Sequence, residues 1–240
     1  MFTPQSNMAK TSAIRGPTNA SRPRVPFGVP RSVSVLANQW ALNALERLAT
    51  VPAVSVSIRV DSCYVIRDME RTPILMVSVP VEDKCCGVEE DEMNFKVTTT
   101  MYQPLIHIET YGQRFCRGVS YVEGFVKFYP DTYLGIMEGD INTVFFLKTN
   151  SGDSFCSVKK IKNDCGFCSC SRRSYEVKPL SSPHDTGSII TDNDKYLIVT
   201  FPRVFDIHRR TILLSCVINM QYQIEAERRR RRGSCFSGKR

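Results

Sequence analysis

Three short stretches hold the residues of this chain that could do chemistry. "KNDCGFCSCSRRSYEV" packs Cys165, Cys168 and Cys170 together, as a metal site or a disulfide framework would. "TDND" places Asp192 and Asp194 two residues apart, a spacing that suits a hard cation with oxygen ligands. "ERRRRRGSC" strings together Arg228, Arg229, Arg230, Arg231 and Arg232 and follows them with Cys235, a basic run beside a thiol open to acylation.

The cysteines do not make a zinc site. Structural zinc takes four ligands, and no second spaced pair complements the first. Cys85 and Cys86 are adjacent, so on a strand they point to opposite faces, and His107, His184 and His208 form no spaced pair. The first twenty residues contain no apolar core of the kind a secretory signal needs, which places the ten cysteines in a reducing compartment. Buried thiols or acylation sites are the reading that remains. Nor is there a nucleophile constellation: G-x-S-x-G, H-E-x-x-H and a Gly-rich phosphate loop are all missing, so nothing marks the chain as an enzyme.

The charge is concentrated at the ends. The 240 residues carry a net +8; residues 1–31 contribute five Lys/Arg and no acid, and residues 226–240 contribute seven Lys/Arg against Glu227, or +6. Residues 32–225 therefore sum to 8 − 5 − 6 = −3. A slightly acidic body with basic tails points to an anionic partner, either a lipid surface or a nucleic acid, unless the runs are merely solvated.

The elements that must position these residues are read from periodicity. Residues 1–32, rich in Pro, Ser and Arg, are expected to be disordered. Leu36, Trp40, Ala44, Leu45, Leu48 and Ala49 recur at helical spacing up to Pro52. Val54, Val56, Ile58 and Val60 then alternate as a half-buried strand. A series of short β segments follows ("CYVIR", "ILMVSVPV", "NFKVTTTM", "PLIHIET", "EGFVKFY", "NTVFFLKT", "SFCSVKKI", "SYEVKP"), separated by turn-rich stretches. Many short strands without long helices between them predict an antiparallel barrel or sandwich. The end of the chain differs. Ile207, Ile212, Leu213, Leu214, Cys216, Val217, Ile218, Met220, Tyr222 and Ile224 make a helix that is apolar nearly all round. Its uninterrupted stretch, Thr211–Met220, is far short of the ~20 residues a bilayer span requires, and Asn219, Gln221 and Gln223 would be costly there. The expectation is a mainly β protein: a closed antiparallel barrel over residues 33–226 that encloses a hydrophobic helix at about 206–226, with residues 227–240 as a polybasic tail.

Taken in order, these segments resemble the phospholipid scramblase family and its tubby-like fold, over about residues 36–225. The resemblance is carried by "ALNALERLATVPAVSVSI", "MVSVPVEDKCC", "PLIHIET", "YLGIM", "CGFCSCSRRSYEV" and "TDNDKY…FPRVFDI" in collinear order. It implies ATP-independent, bidirectional movement of phospholipids between leaflets, with calcium as cofactor and palmitoylated cysteines as anchors, at the cytoplasmic face of a membrane, the plasma membrane above all. No bond is made or broken in that activity, so no catalytic constellation is called for.

The resemblance also implies site residues. Asp192 and Asp194 stand at the first and third positions of the family's twelve-residue calcium loop; the twelfth, an acid in the pattern, is Arg203, and an extra residue lies between Tyr196 and Phe201. Two carboxylates beside a cation make a poor calcium cage, and a turn with two solvated acids is the alternative. The family's palmitoylated cluster is reduced to Cys116 in "RFCRG", with Cys85, Cys86 and Cys235 as further lipidation candidates or plain thiols. Between "HDTGSI" and "ITDND" the chain is short by about one strand, which bears on how the barrel seals. The expected partners are the phospholipids of an anionic cytoplasmic leaflet, reached through Arg228–Arg232 at about 1 kcal/mol per basic residue. The alternative function is a tubby-like module that docks on acidic lipid or nucleic acid without transport.

Overall fold

The computed structural model describes residues 35–58, 63–79, 91–115, 118–161, 173–192 and 196–234. The chain divides into two units, Met1–Val33 and Ser34–Arg240, and every described residue belongs to the second.

The helix α1 (Val35–Thr50) comes first. Twelve strands follow: β1 (Ala53–Ile58), β2 (Cys63–Asp68), β3 (Pro73–Ser78), β4 (Asp91–Thr99), β5 (Pro104–Phe115), β6 (Gly118–Phe128), β7 (Thr132–Gly139), β8 (Val144–Thr149), β9 (Ser154–Ile161), β10 (Ser174–Pro179), β11 (Gly187–Asp192) and β12 (Tyr196–Thr200). The helix α2 (Ile207–Ser234) comes last. Each strand pairs antiparallel with its neighbours in sequence, and β12 pairs with β1, so the sheet closes into a barrel. The shortfall before "ITDND" does not open it. β11 and β12 pair in register from Ser188↔Thr200 to Asp192↔Tyr196, and β12 continues onto β1 from Ala53↔Thr200 to Ser57↔Tyr196.

Alternation decides which side chains enter. On β4, Met93, Phe95 and Val97 are buried while Glu92, Asn94 and Lys96 face outward. β12 shows the same rhythm with Leu197 and Val199 inside. Small barrels of about eight strands are filled by side chains alone; twelve leave room for more. An α-helix with its side chains, about 10–12 Å across, is an object that can fill such room.

α2 is that object. Every residue from Arg210 to Glu225 is buried, on all faces of the helix. Its side chains meet the wall at Phe95 of β4, whose ring lies 5.5 Å from that of Tyr222, and at Tyr64 of β2, bonded to Glu225. It also touches β1, β7, β8 and β12. Gly135 of β7 shows how closely helix and wall approach: a Cβ there would lie 2.8 Å from Ile212 Cδ1 and 2.2 Å from the Lys148 carbonyl oxygen.

One boundary and one packed face differ from expectation. The helix does not stop near 226 but runs on through the arginine run to Ser234. On α1, Leu48 is buried with Ala41, Ala44 and Leu45 packed behind it, whereas Trp40 is 46% exposed and Ala49 is also exposed. The packed stripe is the i, i+3, i+4, i+7 set from Ala41, rotated away from Trp40.

Candidate anionic-surface site

The site begins where α2 begins. Asp206 is its N-cap, its Oδ1 accepting from the Arg209 backbone N–H at 2.9 Å. Arg210, one residue further, is buried with no carboxylate beside it among the described residues. Instead its guanidinium donates to three backbone carbonyls: Phe205 at 3.1 Å, Leu48 at 3.0 Å and Val51 at 2.7 Å. It also lies over the Phe201 ring at 5.1 Å. Leu48 and Val51 belong to the C-terminal end of α1, where carbonyls are left without helical partners and the helix dipole is negative. Burial lowers the Arg210 pKa from its ordinary value. One side chain thus ties α1, the segment before α2, and α2 together.

Above it the polar residues of α2 find partners inside the barrel. Thr211 and Ser215 donate to the carbonyls one turn back, Ile207 and Thr211. Gln223 reaches Asn219 Oδ1 at 3.5 Å. Gln221 donates to one oxygen of Glu225, and Tyr64 donates to the other at 3.1 Å. These amides, too costly for hydrocarbon, are held in protein, although Asn219 Nδ2 finds no partner among the described residues. Cys216 is wholly buried in the same column, and burial pushes its thiol well up; Cys156 on β9 is pushed up to about 12, chiefly by burial.

The direction of α2 sets the end at which the basic run leaves. It starts beside α1 and the tight turns that follow β2, β4 and β8, and ascends to Tyr64, near the start of β2. Arg228–Arg232 continue the same helical backbone, beginning within one turn of Glu225. They are helical, not part of a trailing tail.

Asp192 closes β11 and stands opposite Tyr196. Positions five to nine of the expected twelve-residue loop are strand β12, so Asp192 and Arg203 fall at its two opposite ends. No group of three or more His, Cys, Asp or Glu that could hold a metal ion is found among the described residues. Asp194 lies outside the described residues, as do Cys85, Cys86, Cys116, Cys235 and the cysteines of "CGFCSC". The strand ends flanking the internal ones (Ser78 and Asp91, Phe115 and Gly118, Ile161 and Ser174, Asp192 and Tyr196) all belong to the barrel end toward which α2 ascends.

Sequence reasoning missed Arg210 and Glu225. Both sat at the edges of an apolar run, where charge reads as solvated. The available signal was that a helix apolar all round leaves no solvated face near either residue.

No helix among the described residues is long and apolar enough to cross a membrane. Compared with models of known families, with curated proteins and with solved structures, the chain matches none.

Proposed function

We propose that this chain is a phospholipid scramblase-like protein that docks on an anionic membrane leaflet through Arg228–Arg232 and promotes ATP-independent, bidirectional movement of phospholipids there. The supporting observation is the continuity of α2: a helix locked inside a closed barrel runs on, unbroken, into five consecutive arginines. The barrel restricts where that charge emerges, and surface potential does the rest, at about 1 kcal/mol per basic residue. Acylation of Cys85, Cys86, Cys116 or Cys235 would supply the second anchor that stable attachment needs. Asp192 and Asp194 remain the calcium candidates by resemblance; separation of Asp192 from Arg203 by a strand argues for a weak calcium effect.

A second reading, docking without transport, is favoured by the sealed core. α2 is enclosed, and the outward positions of the wall carry Lys96, Glu109, Lys127, Glu138 and Lys148, not an apolar band. A liposome assay separates the two. Vesicles carrying fluorescent phospholipid in both leaflets are exposed to an impermeant quencher, with and without calcium. Transport predicts that quenching passes beyond the outer-leaflet half when protein is added, with little further change on adding calcium. Quenching that stops at half, with the protein bound, would leave docking alone.

A further inference from the structure

The burial of α2 ends at a carboxylate. Glu225 is the last buried residue of the run that begins at Arg210; Ala226 is half-buried, and the helical backbone continues through residues 226–234. Glu225 is held from two sides. Gln221, one turn earlier, donates to one of its oxygens, and the Tyr64 hydroxyl donates to the other at 3.1 Å. Tyr64 is 1% exposed and stands on β2, 161 residues away in sequence, so its bond ties the helix end to the wall and not to itself. In the same turn the Tyr222 ring meets Phe95 of β4 edge to face.

The stretch beyond would not stay helical alone. Isolated helices shorter than about 12–15 residues are marginal in water, because the first turn costs more than it returns. Five consecutive arginines weaken it further, since like charges three and four residues apart on a helix repel. Growth from a turn already fixed avoids the cost of nucleation. The last turn fixed by the barrel is the one that ends at Glu225, and the Tyr64 bond is what joins that turn to the wall at the carboxylate.

We propose that Tyr64 is a positioning residue: through Glu225 it holds the exit turn of α2, and so keeps Arg228–Arg232 helical where they leave the barrel. The arginines meet the anionic surface; Tyr64 does not touch it. This rests on the reading of Arg228–Arg232 as a membrane-docking run and adds to it that the leaflet meets a preformed helix. A segment already ordered is spared the entropy that a loose one loses on binding.

The test compares the full-length chain with Tyr64→Phe, which keeps the ring and removes the hydroxyl. Amide hydrogen exchange is followed over residues 226–234 and over 211–220, and affinity by co-sedimentation with phosphatidylcholine vesicles containing a fifth phosphatidylserine. Exchange of 226–234 should quicken about threefold or more, the worth of one ordinary hydrogen bond, and vesicle affinity should fall with it. Leu214→Ala is the control: it opens the packed core away from the exit turn, so it should lower the melting temperature at least as far and leave exchange of 226–234 and affinity as they were. Glu225→Leu should act as Tyr64→Phe does, and more strongly. Because it also removes a negative charge, surface electrostatics alone would have it bind anionic vesicles more tightly. A Tyr64→Phe protein that melts lower but keeps the exchange of 226–234 and the affinity of the unaltered chain overturns the proposal, as does tighter vesicle binding by Glu225→Leu. An unaltered chain that ignores anionic vesicles, while Tyr64→Phe still quickens exchange of 226–234 alone, upholds the hold on the helix and sinks the membrane reading instead.

Discussion

Arg210 spends its charge on backbone carbonyls, and that makes it a structural residue rather than a partner for an anion. Removing it would leave the buried Leu48 carbonyl and the partly buried Val51 carbonyl without this donor, an unsatisfied buried group costing about 1–3 kcal/mol. Arg210→Ala is therefore expected to lower unfolding free energy by about 3 kcal/mol in urea titration, and Arg210→Lys, with three donors but no planar fork, to recover only part. The cysteines make a different statement. Cys156 and Cys216 are buried thiols whose pKa is raised, so the folded protein holds their protons more tightly than the unfolded chain. Their contribution to stability is present below the ordinary thiol range near 9 and is lost as pH rises toward about 12. Melting temperature should fall across that window, and less so in Cys216→Ala when each protein is compared with its own value at pH 8. The sequence pointed to buried cysteines but not to which. Cys156 alternates with outward residues on β9 and Cys216 sits in the apolar helix, and neither belongs to the dense "CGFCSC" cluster that first drew attention.

At the scale of elements, the helix was the most legible part, because a segment apolar all round yet too short to span a bilayer has few places to go. The structure places it inside the barrel, with Leu214 wholly buried. Leu214→Arg introduces a charge with no partner in a packed interior and is expected to cost several kcal/mol; an unchanged thermal transition would contradict enclosure. β11 and β12 were harder to see. "SIITD" and "YLIVT" flank an acidic stretch of sequence that, by resemblance, read as a cation loop, although Ile189, Leu197 and Val199 already alternated. The hairpins at the α1 end use a local device the sequence hides. Arg71, Tyr102 and Gly152 all have positive φ in turns where the preceding strand residue (Asp68, Thr99 or Thr149) closes the loop. Only one of the three is glycine, the residue that adopts this conformation without steric cost. Tyr102→Gly should accordingly stabilise the fold by about 1 kcal/mol, visible as a raised melting temperature, since the ring is 70% exposed and little packing is lost.

Across the whole molecule, a slightly acidic body bears basic sequence at its ends, with an arginine run at the end of the core helix. The charge asymmetry was legible in the sequence, and so was the place of the run directly after the buried helix; that the run itself is helical, as far as Ser234, was not. The most direct measurement is co-sedimentation of the full chain with vesicles, comparing neutral phosphatidylcholine with the same lipid containing a fifth phosphatidylserine. Binding should require the anionic lipid and weaken steeply with salt, as screened surface electrostatics do. Alanine at Arg228–Arg232 should release the protein while its melting temperature stays unchanged. Excess duplex DNA should leave most of the protein on the vesicles. Equal binding to neutral vesicles, retention of the five-alanine variant, or complete stripping by modest DNA would contradict a membrane role for this helix.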